Sequence, residues 1–517
     1  MNGADRLCET LLINGVDVCF ANPGTSEMHF VAALDRNPDM RCVLGLFEGV
    51  VTGAADGYGR MKLRPAANLL HTGPGLANGL ANLHNARRAH TPVLNIVGDH
   101  ASYHLALDAP LTSDIESLAR PMSGFVRRIS GPEDVGPGIE AALAAALAQP
   151  GVATAILPAD AAWGEVRPRK LAPIQNPAPH KITKPTLLAA ATAIRNAPGK
   201  VGLLLGGAAL RDSGLAFAGA IAEACNAQLF SGVLISRIER GRGRAAVTRI
   251  PYAIGQAIEA LKDITTLILI GEVEPVAFFA YPGMPSRLAP PECKIVTLAT
   301  PAHNIDDALS RLADELGVGA APRSRARKRA GEHGAPNGAL TEDAISVILA
   351  QTLPDNAIIC DEGLTSARRF FSLAQDAPAH DYLMNTGGSI GIGIPLAIGA
   401  ALACPERKVI TLQADGSALY TVQGLWTQAR ENLDVLTIIF ANHAYAILQI
   451  ELQNLGVNRI GRNAANMMQL DRPKIDWPGL AKSMGVEGAR ATTCAEFSKL
   501  LRAGLKRKGP FLIEAAL

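Results

Sequence analysis

Short apolar runs recur through the first third of the chain, each closed by Gly, Pro or Asn: VDVCFA, CVLGLF, PAANLLH, PVLNIVGD and ATAILPAD. Their length and Val/Ile/Leu content read as strands. Gly- and Ala-rich stretches with helical character separate them, and this alternation predicts βαβ units and a parallel sheet. The pattern breaks at VRPRKLAPIQNPAPHKITKP (166–185), where prolines punctuate a polar stretch as linkers do. It resumes with KVGLLLGG (200–207), a helix AFAGAIAEAC (216–225), TTLILIG (265–271) and KIVTLAT (294–300). A second break, APRSRARKRAGEHGAPNG (321–338), is basic and has no apolar periodicity. A nucleic-acid patch is one reading of it. Its charge is local and no aromatics interleave it, which favours a solvated linker. From Leu340 onward NAIICDEG, KVITLQADGS and DVLTIIFAN restore the strand–helix alternation.

The expected fold class is therefore α/β, with three domains that are each a parallel sheet flanked by helices. The expected boundaries are 1–170, 185–320 and 340–517, with a linker at 321–339. The first and third segments share length and strand–Gly–helix grammar, which hints at two related domains flanking a third. Length agrees, since 517 residues at roughly 150 per domain give about three. A composition 48% hydrophobic and 19% charged supports large cores and excludes a disordered chain.

Charge and cysteine usage narrow the chemistry. A net charge of +2 provides no global field for nucleic acid or an anionic membrane. The eight cysteines are scattered singly, without a C-x-x-C pair, which argues against zinc sites, iron–sulfur clusters and a disulfide framework. A reducing cytoplasm is the expected compartment. No apolar run of about 18 residues suggests a membrane span.

The strongest chemical signal is KVITLQADGSALYTVQGLWTQARENLDVLTIIFANHAYAIL (408–448). One strand runs into Asp415-Gly416-Ser417, a helix follows, and a second strand ends at Asn442. Both polar groups then sit at carboxyl ends of adjacent parallel strands, where α/β sheets place ligands. Gly416 allows backbone to approach a phosphate, and a helix starting near Ser417 offers N–H groups to an anion. A carboxylate plus an amide oxygen suits Mg²⁺ bridging to phosphates. As an alternative, Asp415 caps a helix and Asn442 closes a turn. A second candidate is Glu48 in VLGLFEGVVTGAADGYGRM (43–61), after a strand and before a helix of small residues. It too has a plain reading, as an acidic residue favoured in a helix's first turn.

These segments resemble the thiamine-diphosphate enzymes. The motif of that family is G-D-G-S followed by N-N, and here 25 residues separate Gly416 from Asn442. Ala414 and Ala441 replace the first Gly and the first Asn, neither of which supplies a side-chain metal ligand in the family. Residues 48–60, E-G-V-V-T-G-A-A-D-G-Y-G-R, match the family pattern E-x-x-x-x-x-A-A-D-G-Y-x-R over its full length. The resemblance implies pyrimidine-binding, central and diphosphate-binding domains, and thiamine diphosphate with Mg²⁺ as cofactors. Asp415, Asn442 and the carbonyl of Ala444 are the implied metal ligands. Glu48 is implied to activate the coenzyme through its aminopyrimidine, across a subunit interface, so a homodimer or homotetramer is expected. Thr365 in DEGLTSARRFF supplies a diphosphate hydroxyl in this scheme. In NTGGSIGIGIPLAIGAAL, Gly388 and Ile390 support the bent coenzyme, and Gly416, Ser417, Tyr445, Ala446 and Ile447 complete its site.

The superfamily includes acetolactate synthases, pyruvate oxidases and 2-oxo acid decarboxylases. The third domain looks most like benzoylformate decarboxylase, and acetolactate synthase large subunits are the other near match. His71 in LLHTGPG and Thr25 in NPGTSE fall where the decarboxylase has a histidine and a serine, implying roles in proton handling and substrate orientation. Phe278 stands about where its middle-domain histidine would be. Against acetolactate synthase, Leu111 takes a glutamine position, and no flavin pattern is evident around RIERGRGRAAVTRIPYA, so FAD is not expected. The resemblance implies decarboxylation of a small 2-oxo acid, with carboligation possible through the same steps. A 2-hydroxy ketone substrate and an acetolactate-synthase-like carboligase are the alternatives. A dinucleotide-dependent oxidoreductase built on LLLGGAALRDSG is a distant one, since G-x-G-x-x-G is missing.

Overall fold

The computed structural model describes residues 1–319, 334, 336–457 and 459–517. Most of the basic segment read as a linker at 321–339 lies outside the described residues. Six strands form the first sheet: β1 (Val18–Asn22), β2 (Arg41–Leu44), β3 (Ala67–Leu70), β4 (Val93–Asp99), β5 (Phe125–Arg128) and β6 (Val152–Pro158). All are parallel, in the order β2-β1-β3-β4-β6-β5. β3, β4 and β6 are buried along their whole length, as strands covered by helices on both faces must be.

The middle segment supplies β7 (Lys200–Leu205), β8 (Gln228–Ser231), β9 (Ile238–Arg240), β10 (Thr248–Arg249), β11 (Ile264–Ile270) and β12 (Lys294–Ala299). Five of these form a parallel sheet ordered β10-β8-β7-β11-β12. The sixth, β9, leaves it. The last segment contributes β13 (Ala357–Glu362), β14 (His380–Met384), β15 (Val409–Ala414), β16 (Val435–Ala441), β17 (Glu487–Ala491) and β18 (Phe511–Ala516). β9 pairs antiparallel with β14 at the edge of this sheet, Arg240 opposite His380 and Ile238 opposite Tyr382.

The third sheet is ordered β17-β18-β16-β15-β13-β14-β9. Read from the other side without β9, its strands run second, first, third, fourth, sixth, fifth in chain order. That is the order of the first sheet. The similar grammar of the two segments thus has a topological counterpart, and each sheet reverses direction between its first and third strands, where α/β folds open a crevice.

Two helices join the first and third layers. Glu48–Lys62 is buried at every residue from Glu48 to Met61, and Gly393–Ala403 is buried throughout. Helices apolar or small all round belong in an interior. Their glycines set the approach: a β-carbon at Gly57 would fall 2.1 Å from the Leu396 carbonyl oxygen, and one at Gly399 would fall 1.9 Å from that of Ala54. Near the end of the first helix, Arg60 pairs with buried Asp56, its Nε donating to Oδ1 at 2.8 Å. Arg60 also donates to the carbonyls of Ser236 (3.0 Å) and Met384 (2.7 Å) and to the Thr386 hydroxyl (3.1 Å). The Asp and Arg of the A-A-D-G-Y-x-R pattern therefore clamp all three segments together. Among the described residues no helix is long and apolar enough to cross a membrane.

Candidate active site

In the first sheet the crevice lies beyond the ends of β1 and β3. β1 runs into Gly24 and a short turn, Thr25–Glu27, while β3 ends at Leu70, and His71 stands at the position just before the helix Thr72–Arg88 without its side chain capping it. Glu27 is buried and binds the imidazole, Oε2 to His71 Nδ1 at 2.8 Å, while accepting the Gly24 N–H at 2.9 Å. Two glycines make the room: a β-carbon at Gly98 on β4 would fall 1.9 Å from Glu27 Oε1, and one at Gly24 would fall 2.2 Å from the His71 ring. Thr25 itself is exposed. The hydroxyl that meets His71 Nδ1, at 3.2 Å, belongs to Ser26, which also bonds Glu27. A carboxylate beneath an imidazole fixes the ring's orientation and tautomer, the arrangement a group needs to hold or move a proton. Sequence reasoning missed Glu27 and Ser26. No local spacing betrays a pair whose members stand 44 residues apart, although both end strands that share a crevice.

Glu48 opens its helix just after β2, buried among the ends of neighbouring elements. Its Oε2 accepts from Asn78 Nδ2 at 3.0 Å. Among the described residues no donor reaches Oε1.

In the third sheet the corresponding crevice lies beyond β13 and β15. Asp415 follows β15 and is buried; its Oδ1 accepts the Gly416 N–H at 2.8 Å and its Oδ2 the His443 N–H at 2.7 Å. Burial lifts its carboxyl above the ordinary range, against the pull of those two bonds. Asn442 follows β16; its Oδ1 accepts the Ala444 N–H at 3.0 Å, and its amide reaches Ser366 at 3.5 Å. His443 takes a left-handed φ of 55°, turning the chain so that the Ala444 carbonyl accepts nothing among the described residues. An Asp carboxylate, an Asn carbonyl oxygen and an unpartnered backbone carbonyl form a hard-oxygen donor set that fits Mg²⁺. This set contains a single Asp/Glu/His/Cys side chain, so it differs in kind from a cluster of such residues, and among the described residues no cluster of three or more is found.

Around it, Gly416 lies against the Tyr445 ring, and the Ser417 hydroxyl donates to the Ala414 carbonyl at 3.1 Å while accepting from Gln413 at 2.6 Å. Ala446 and Ile447 begin the helix Ala446–Asn454, and Thr365 is half-buried in the loop after β13. Ile390 is half-buried on a turn held by a carboxylate the sequence reading did not single out. Buried Glu362 accepts the N–H groups of Gly391 (2.9 Å), Ile392 (3.2 Å) and Gly393 (2.9 Å), and the amides of Asn385 (3.2 Å) and Gln413 (2.9 Å). Phe278 of the middle segment reaches the same turn, its Cζ 2.8 Å from where a β-carbon of Gly388 would stand. Phe278 packs on Phe279 and Tyr252, with ring centroids 5.0 and 5.3 Å away.

Residues 1–118 match the model of the thiamine pyrophosphate enzyme N-terminal TPP binding domain, and residues 364–515 match that of the C-terminal TPP binding domain. The chain is 47% identical over 520 residues to a Mycobacterium tuberculosis protein provisionally named acetolactate synthase large subunit IlvX, with 100% of this chain and 99% of that one covered. The chain belongs to the thiamine pyrophosphate enzymes. Within that family it is related to both acetolactate synthases and benzoylformate decarboxylase. The Pseudomonas aeruginosa benzoylformate decarboxylase is 26% identical over 98% of this chain and 97% of its own. In fold it is similar to a thiamine diphosphate-dependent 4-hydroxybenzoylformate decarboxylase of Rhodococcus jostii RHA1, with a TM-score of 0.85 at 23% identity over 100% of this chain and 99% of the other. The two matched regions hold the two crevices: Glu27, Glu48 and His71 in one, Asp415 and Asn442 in the other.

Proposed function

We propose that this thiamine pyrophosphate enzyme decarboxylates a small 2-oxo acid, with Mg²⁺ as its metal, and that the same site can join the acyl fragment to a second carbonyl. The observation that carries the reading is the Glu27–His71 pair, an imidazole held by a buried carboxylate at the crevice of the first sheet. Thiamine diphosphate, when bound, supplies a nucleophilic carbon that adds to the substrate carbonyl and accepts the electron pair left as CO₂ departs. Every other part of the scheme belongs to the chain. Asp415, Asn442 and the Ala444 carbonyl would hold Mg²⁺. Thr365, Gly416, Ser417 and residues 445–447 would bind the diphosphate, while Gly388 and Ile390 support the rings. Glu48 would hold a proton at Oε1 for the aminopyrimidine. His71 would move a proton at the reacting carbon, with Ser26 and Thr25 orienting the substrate at the mouth of the crevice.

An acetolactate-synthase-like carboligase is the second reading, favoured by the 47% identical relative and by Phe278. An apolar ring pressed on Gly388 brings no titratable group to that side of the site. The active unit is proposed to be a homodimer or homotetramer, with Glu48 serving a neighbouring subunit.

A panel of 2-oxo acids, scored for CO₂ release and for coupled product with aldehyde acceptors added, tests both readings. With pyruvate, acetolactate without acetaldehyde would select the carboligase. Release of CO₂ with neither coupling nor acetolactate would select the decarboxylase, and no CO₂ from any member would end both. Glu48→Gln is expected to lower turnover about 100-fold or more while Mg²⁺-dependent coenzyme binding persists.

A further inference from the structure

The helix Thr72–Arg88 carries asparagines at 78, 82 and 85, one face of the helix by spacing. Each bonds a neighbouring element. Asn85 is fully buried; its Nδ2 donates to the Ser389 carbonyl at 2.8 Å and to Asn82 Oδ1 at 2.9 Å, and its Oδ1 accepts the Gly387 N–H at 3.0 Å. Asn82 is also buried, and its Nδ2 bridges the carbonyls of Gly49 (2.7 Å) and Gly391 (3.3 Å). Asn78 is exposed at the end of the stripe and donates to Glu48 Oε2 at 3.0 Å. One helix face thus binds the turn that carries Ile390, the carbonyl of Gly49 next to Glu48, and the Glu48 carboxylate.

We infer that Asn78 is a positioning residue for Glu48, anchored by Asn82 and Asn85 so that Oε1 stays open as the oxygen that exchanges a proton with the coenzyme. The inference rests on the proposed role of Glu48. The choice of side chain carries the argument. A carboxylate that must hold a proton needs its rotamer fixed, yet a Lys or Arg partner would stabilise its ionised form. An amide donor fixes Oε2 without bringing a full charge. Asn78 is exposed while its two anchors are buried, so its replacement leaves the packed part of the stripe in place.

The test reads the coenzyme's C2 hydrogen, whose exchange for deuterium in the holoenzyme needs no substrate. Asn78→Ala is expected to slow that exchange about tenfold, a loss of orientation alone, with coenzyme affinity and thermal midpoint nearly unchanged. Asn78→Lys keeps a donor but adds charge, and is expected to slow exchange further while shifting its pH profile downward, because the cation favours the ionised carboxylate. Exchange at the wild-type rate in both variants overturns the inference, and so does a fall in thermal midpoint without slowed exchange. Glu48→Gln separates the two levels. If it also exchanges at the wild-type rate, the reading of Glu48 itself fails; if it is slowed and the Asn78 variants are not, only the positioning role fails.

Discussion

The crevice between β1 and β3 and the crevice between β13 and β15 occupy the same topological position in two sheets of the same strand order, yet they carry different chemistry. At the first, a carboxylate and an imidazole bind each other, a pair fit to hold or move a proton. At the second, a carboxylate, an amide and a backbone carbonyl leave oxygens open, a set fit for a hard cation and the phosphates it bridges. The fold determines where a ligand can sit, and a handful of residues after each strand determines which ligand it is. In the first the carboxylate is spent on a neighbour; in the second the backbone satisfies only one lone pair on each Asp415 oxygen and leaves the rest available.

Breaking the second crevice, beyond β13 and β15, should cost most. Asp415→Ala is expected to weaken Mg²⁺-dependent coenzyme binding about 100-fold and turnover by roughly 10³. Titration of the coenzyme with and without Mg²⁺ reads the first, steady-state kinetics the second. The thermal midpoint of the unliganded protein should barely move, because the carboxyl there is buried at some cost. If coenzyme binding is retained, the oxygen set does not hold the metal.

Next comes the joint between the layers. Arg60→Ala leaves Asp56 buried without its ionic partner, with the Thr91 hydroxyl still donating to it at 2.6 Å, and frees three acceptors on two other segments. A loss of about 3 kcal/mol in unfolding free energy is expected, read from denaturant titration. A loss confined to the surface range, below about 1 kcal/mol, would show that the clamp is dispensable.

Breaking the first crevice should leave binding intact. Glu27→Gln keeps the shape of the side chain while removing the charge that orients His71. A drop of about 10- to 100-fold in kcat with unchanged coenzyme affinity is expected. Equal losses in affinity and kcat would instead make Glu27 part of the binding surface.

How far these two crevices were legible beforehand follows from distance along the chain. β4, β6, β13, β15 and β16 announce themselves as local apolar runs, and Asp415 and Asn442 follow two of them directly, so local order alone marked the crevice beyond β13 and β15. β5, β9, β10 and β17 did not, being short, partly exposed or polar: FVRR, IER, TR and EGARA carry no apolar run. The path of β9 into the third sheet has no local signal either, since pairing with β14 joins residues about 140 positions apart in sequence. Glu27 with His71, Glu362 with its five donors, and the asparagine stripe are likewise contacts between elements. The family resemblance named Glu48 and His71 individually. What holds each of them could be seen only once the chain was folded.

The middle sheet offers a third such position, and it gives the smallest but sharpest test of the rule. Its order reverses between β7 and β11, and there Glu272 lies with Oε2 3.0 Å from where a Gly206 β-carbon would stand and 3.2 Å from that of Gly232. Among the described residues no imidazole, guanidinium or ammonium answers it, and its Oε1 accepts only the Val273 N–H at 3.1 Å. Burial pushes its carboxyl up to about 7, with that one bond opposing. In the unfolded chain the group ionises near its ordinary value of 4.5. Between those two values the folded protein keeps a proton that the unfolded chain releases, so stability falls as pH rises through the window and stays lowered above it. Glu272→Gln removes the ionisation and should raise stability at pH 8, by at most the roughly 3 kcal/mol that a rise from 4.5 to about 7 carries, with no change at pH 4. Unfolding midpoints at the two pH values measure the difference. An equal effect at both would mean that Glu272 is ionised throughout and has a partner. The middle crevice would then be a charged site like its two neighbours, and the contrast between a paired, an open and an isolated carboxylate would collapse to two kinds.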